Sequence, residues 1–85
     1  MPRKILSVSE ALANPVRREI VNYLIRFRSL STVELKRMLG INSSNLVNHL
    51  IILSRVGVIR IIKVKKRIYV SINDEVLLNK GIISD

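Results

Sequence analysis

Ser43, Ser44, Asn45 and Asn48 fall within six consecutive positions of a strongly cationic chain. Each carries a hydroxyl or an amide that donates and accepts hydrogen bonds without bearing charge. Such groups suit recognition of another molecule's hydrogen-bonding edge. A second feature lies a little further on. The eight residues from Arg60 to Arg67 include Arg60, Lys63, Lys65, Lys66 and Arg67 and no acid. That run suits an anionic partner. A solvated helix face and a solvated hairpin tip would use the same residue types, so their setting has to decide.

Bond-breaking chemistry finds little material. The chain has one histidine, His49, and no cysteine. Its adjacent acids, Asp74 and Glu75, stand where they would complement the dipole at a helix start, and no glycine-rich phosphate loop occurs. The expectation is therefore no enzyme, no catalytic residue, no cofactor and no metal. His49 reads as a packed or phosphate-bonding residue. Arg17 reads as a partner in structural ion pairs, and Tyr69 as a residue packed in the hairpin.

Composition agrees with a binding protein. With 85 residues the chain suits one small domain over 1–85. It is 48% hydrophobic but only 4% aromatic, so the core must be aliphatic. Fifteen Lys and Arg against six Asp and Glu give a net charge of +9, which attracts polyanions. Charges interrupt every apolar run before the roughly 18 residues that a membrane span requires. The start, "MPRKILSVSE", does not read as a secretory signal. The lack of cysteine fits an intracellular location, and the expected place is the cytoplasm, associated with the nucleoid.

The elements that must position these groups follow from pattern. A short helical piece is predicted around Ser9 to Ala13. Asn14 can cap and Pro15 suits the first helical position. Val16, Ile20, Leu24 and Phe27, with Tyr23 beside them, then predict an amphipathic helix over about 15–27. Ser31 and Glu34 form a capping box for a short helix over 32–39, with Leu35, Met38 and Leu39 on one face alongside Val33. Gly40 ends it, and Asn42 or Ser43 caps the next helix. In that helix Leu46, Leu50 and Leu53 form the core stripe. Ser44, Asn48 and Arg55 lie opposite, Asn45 and Val47 on the flanks, and Gly57 terminates it. "VIRIIK" and "RIYVSI" predict two strands, and Asn73 can cap a final short helix over about 74–79.

Helix, short helix, tight turn, helix and basic hairpin define a mainly α fold with a β-hairpin wing, in the order α-α-α-β-β-α. A short helix, a turn and a second helix in that arrangement would form a helix-turn-helix. Its second helix would place outward residues on base edges in the major groove. Asn can bond bidentately to adenine, Ser can serve either base type, and charge is better used on phosphate.

"ALANPVRREIVNYL", "STVELKRMLGINSSNLVNHLIILSRVGVI" and "KKRIYVSI" resemble the ArsR-type winged helix-turn-helix regulators over about residues 10–72. Leu12, Arg17, Ile20, Leu35, Leu39, Gly40, Ile41, Ser44, His49, Leu50, Leu53, Gly57 and Tyr69 stand at matching places. The resemblance implies a sequence-specific regulator of double-stranded DNA. Ser43, Ser44, Asn45 and Asn48 would read bases. Ser31, Thr32, Arg37 and Arg55, with Lys63, Lys65, Lys66 and Arg67 of the wing, would contact phosphate.

The chain departs from the family pattern at Val47, where a hydroxyl residue is usual, and in a wing tip without glycine. The family's thiolate metal sites are missing, and a lone histidine cannot build the His/Asp alternative. A non-specific architectural DNA-binding protein and a protein-interaction module, the latter suggested by Ile51 and Ile52 off the core stripe, are the competing readings. Apolar segments at 1–13 and 73–85, with Ile5, Leu6 and Val8 in the first and Val76, Leu77, Leu78, Ile82 and Ile83 in the second, point to a homodimer.

Overall fold

The computed structural model describes residues 7–75. Seven elements follow in order: α1 (Val8–Ala11), α2 (Pro15–Phe27), β1 (Ser29–Ser31), α3 (Thr32–Leu39), α4 (Ser43–Arg55), β2 (Ile59–Val64) and β3 (Arg67–Ile72). This is the mixed α and β architecture expected from the sequence, helices followed by an antiparallel hairpin. The final helix expected over 74–79 and the apolar segment at 73–85 lie largely outside the described residues, as do Ile5 and Leu6 of the segment at 1–13. Val8 is among the described residues, and it is buried in the chain's own core. It is not available to a partner chain.

Local chemistry fixes the helix ends. The Asn14 side chain accepts from the N–H groups of Val16 and Arg17 at 2.9 and 3.1 Å, and Pro15 follows at the first helical position. At α3 the capping box is complete: Ser31 Oγ accepts from the Glu34 N–H, and the Glu34 carboxylate accepts from the Ser31 N–H. Gly40 closes α3 at φ 65° and donates to the Lys36 carbonyl at 3.0 Å. Nothing lies within 4 Å of where its Cβ would stand, so the demand for glycine there is conformational. Asn42 caps α4 through the Asn45 N–H. Gly57, at φ 82°, ends α4 in a Schellman arrangement. Its N–H donates to Ser54 and the Val58 N–H reaches back to Leu53.

β1 is an element the sequence pattern did not reveal. Three residues between two helices carry one apolar side chain and no periodicity, so only pairing with β3 makes them a strand. The sheet runs β1-β3-β2, fully antiparallel, with Leu30 opposite Val70 and Ile59 opposite Ile72. Those four share one face and are buried against the helices. The core is aliphatic, as composition required: Ile20, Leu24, Leu35, Leu53, Val58 and Val70 are its largest fully enclosed side chains.

Several apolar residues expected on helix core faces lie outside. Phe27 is exposed at the end of α2, where the Arg26 guanidinium sits 5.4 Å from its ring centre. Val33 and Met38 of α3 are exposed as well, leaving Leu35 as that helix's buried anchor. A helix of eight residues offers few inward positions, and α3 contributes one fully. Asp74, expected to serve a helix dipole, pairs with Arg28. Arg28 is exposed and Asp74 half-buried, and a pair so open to solvent stabilises little.

Candidate nucleic-acid interface

Leu46, Leu50 and Leu53 attach α4 to the core and so determine which face looks outward. Ser43, Ser44, Asn45 and Asn48 are all exposed, in the first two turns. Among the described residues none of their side chains is held in an intramolecular hydrogen bond. The structure thus leaves all four groups open. It adds Ile51, exposed between Asn48 and Arg55 on the same stripe, and Val47 beside it. Apolar groups at such positions suit the thymine methyl. The helical period places Ile51 off the core stripe, as found, but suggests a protein contact there and not a base contact. Ile52, also expected off the core stripe, is instead half-buried and packs against the core.

Exposed cations lie on α3 (Arg37), on the last turn of α4 (Arg55) and on the wing (Lys63, Lys65, Lys66 and Arg67). Among the described residues none of the six has a carboxylate within ion-pair distance. Lys65 and Lys66 form the two-residue turn, with Lys65 at φ 56°, the positive-φ geometry that tight hairpins favour. Thr32 is half-buried at the start of α3. Ser31 departs from the expected phosphate set. It is 8% exposed, and its hydroxyl oxygen holds the α3 cap.

Behind α4 lies a polar contact that explains Arg17 and His49. Arg17 is buried at the start of α2. Its Nε donates to the Ala11 carbonyl at 2.7 Å, and Nη1 stands 3.4 Å from His49 Nδ1. The expected ion pairs of Arg17 are therefore replaced by a carbonyl and an imidazole. A guanidinium can only donate, so Nδ1 accepts and the proton of the neutral ring belongs on Nε2. Burial, and then the Arg17 charge, hold the His49 pKa below its ordinary value. Tyr69 is half-buried on β3, opposite Ser31 and Ile62, as a packed wing residue. No group of three or more His, Cys, Asp or Glu that could hold a metal ion occurs among the described residues. None of their helices is long and apolar enough to cross a membrane.

A short helix, a tight turn and a second helix with an open polar face, flanked by a basic hairpin, define a winged helix-turn-helix domain. A family model described as a helix-turn-helix domain matches residues 12–62, and the chain belongs to that family. Solved structures are similar over most of their length. A transcriptional regulator homologue from Pyrococcus horikoshii is 28% identical with a TM-score of 0.78, covering 87% of this chain and 77% of its own. An ArsR-family transcriptional regulator is 25% identical, with a TM-score of 0.76 and coverage of 85% and 73%. Reduced HlyU from Vibrio cholerae is 28% identical, with a TM-score of 0.76 and coverage of 88% and 79%. No curated protein matches. The class is that of ArsR-type winged helix-turn-helix regulators, which bind DNA and are not enzymes.

Proposed function

We propose that the protein is a sequence-specific regulator of double-stranded DNA, with α4 in the major groove and the wing on the phosphate backbone. The observation that carries this reading is the outward face of α4. Four uncharged hydrogen-bonding side chains stand open on a helix anchored by three buried leucines, and exposed cations lie on α3, the last turn of α4 and the wing. Ser43, Ser44, Asn45 and Asn48 read base edges. Thr32, Arg37, Arg55, Lys63, Lys65, Lys66 and Arg67 contact phosphate. The active species is a homodimer joined through its apolar terminal segments, addressing half-sites about one helical turn apart. Its place is the cytoplasm, on the nucleoid.

Selection of bound sequences from a random duplex pool, followed by competition against unselected duplex, tests the specificity. A recovered motif that outcompetes random DNA is the expected result. Equal competition would make the protein an architectural coat, and no binding at low salt would leave the protein-interaction reading. Light scattering at micromolar concentration tests the dimer, and the mass of one chain would exclude it.

A further inference from the structure

A cleft of about 430 Å³ opens between the first turn of α3 and the wing. Thr32, Glu34 and Arg37 line it from α3, and Lys66, Arg67 and Tyr69 line it from the wing. The register Ser31 to Tyr69 brings the two sides together, so β1, which the sequence pattern did not reveal, builds the cleft. Three cations from two elements face a single carboxylate. The capping box satisfies the N–H groups of Ser31 and Glu34. The Val33 N–H belongs to the first helical turn, where no carbonyl lies four residues back within the helix, and the helix dipole adds positive potential there.

Resting on the DNA-binding reading above, we propose that this cleft is one phosphate site for the DNA backbone, and that the Glu34 carboxylate is its resident anion. The cap fixes that carboxylate at the cleft, 3.0 Å from the Ser31 N–H. Its bonds to Ser31 hold its pKa below the ordinary value, and the charges of Arg37 and Arg67 act in the same direction. Glu34 is therefore ionised and lies in the field of the two guanidiniums before DNA arrives, though neither is within ion-pair distance of it. A phosphodiester entering the cleft takes over those partners against the repulsion of Glu34. Arg37, Lys66 and Arg67 then act on the same phosphate, not on three.

Glu34→Gln separates the charge from the cap, because glutamine also completes a capping box. The variant should stay folded, melting slightly lower because the ionised cap itself contributes some stability. It should bind specific and random duplexes alike more tightly, by roughly three- to tenfold at low salt. Unchanged or weaker binding by the folded variant would overturn the resident-anion role. Arg37→Gln and Arg67→Gln form a double-mutant cycle. One shared site predicts a combined loss well below the product of the single losses, and a salt slope lowered by no more than about one unit, because Lys66 still holds that phosphate. Multiplicative losses with a slope lowered by about two units would mean separate contacts, overturning the single site while DNA binding stands. Failure of the unaltered chain to bind duplex at low salt would instead remove the reading on which the proposal rests.

The amide resonance of Val33 should shift on adding duplex, and only weakly with inorganic phosphate. Saturation by micromolar inorganic phosphate, with displacement of duplex, would assign the cleft to a free phosphorylated ligand and overturn its assignment to the backbone.

Discussion

α4 and the wing both present side chains to solvent, but they are anchored very differently. α4 is fixed along its whole length by Leu46, Leu50 and Leu53, and it ends in caps that satisfy its terminal backbone groups. The wing is buried only at its base, through Ile59, Val70 and Ile72, while Ile61, Ile62, Val64 and Ile68 beyond them are exposed. The chemistry of the two surfaces differs in parallel. Base reading depends on hydrogen-bond direction and so requires a helix that cannot rotate. Phosphate attraction depends on distance through a screened potential and tolerates a hairpin that moves. In this molecule uncharged donors are on the rigid element, and charges are concentrated on the loosely anchored one.

The largest expected effect tests that difference in anchoring. Leu53→Ala should cost about 2–5 kcal/mol in urea unfolding. Ile68→Ala on the wing should stay within about 0.5 kcal/mol, as an exposed site does. Similar costs at both would show that the wing is anchored as firmly as the helix.

Asn48→Ala comes next and sharpens the chemical side. Titration of duplexes should show a loss of about 1–3 kcal/mol on the selected site and much less on random DNA. Equal weakening on both would remove Asn48 from base reading.

Changing Lys65 and Lys66 together to Ala should have the opposite character. Binding to every sequence should weaken alike, and the salt slope should fall by about one to two units per chain. The lower figure applies if Lys66 shares the cleft phosphate with Arg37 and Arg67. A loss confined to the selected site would mean that the wing reads sequence.

The smallest effect concerns the support behind α4. The depressed pKa of His49 means that, just below its ordinary value of 6.5, the unfolded chain binds the proton more readily than the folded one. The associated stability is present above that value and is lost as pH falls through the folded-state pKa. Melting temperature should therefore drop on acidification through this range, and His49→Gln should flatten the drop. A wild-type profile that is level there would show that Arg17 and burial do not bias the ring. Glu34 has the same sign, but its contribution is lost only below the ordinary carboxylate value of 4.5.

Much of this architecture is readable from local sequence because local bonds determine it. Asn14 with Pro15, Ser31 with Glu34, Asn42, Gly40 and Gly57 each act within a few residues, and they set the helix boundaries directly. The leucine stripe of α4 has a period that allows one inward face, so the four open polar residues were also visible. What needed the fold is what depends on distant partners. β1 exists only because β3 lies beside it. Ser31 is buried, and Phe27, Val33 and Met38 are exposed, because neighbouring elements cover some positions and leave others open. Arg17 meets His49 across 32 residues of chain, which no spacing rule anticipates. The cleft joins Arg37 to Arg67 through a strand pairing, so two separate cations in the sequence became one electrostatic site only in three dimensions.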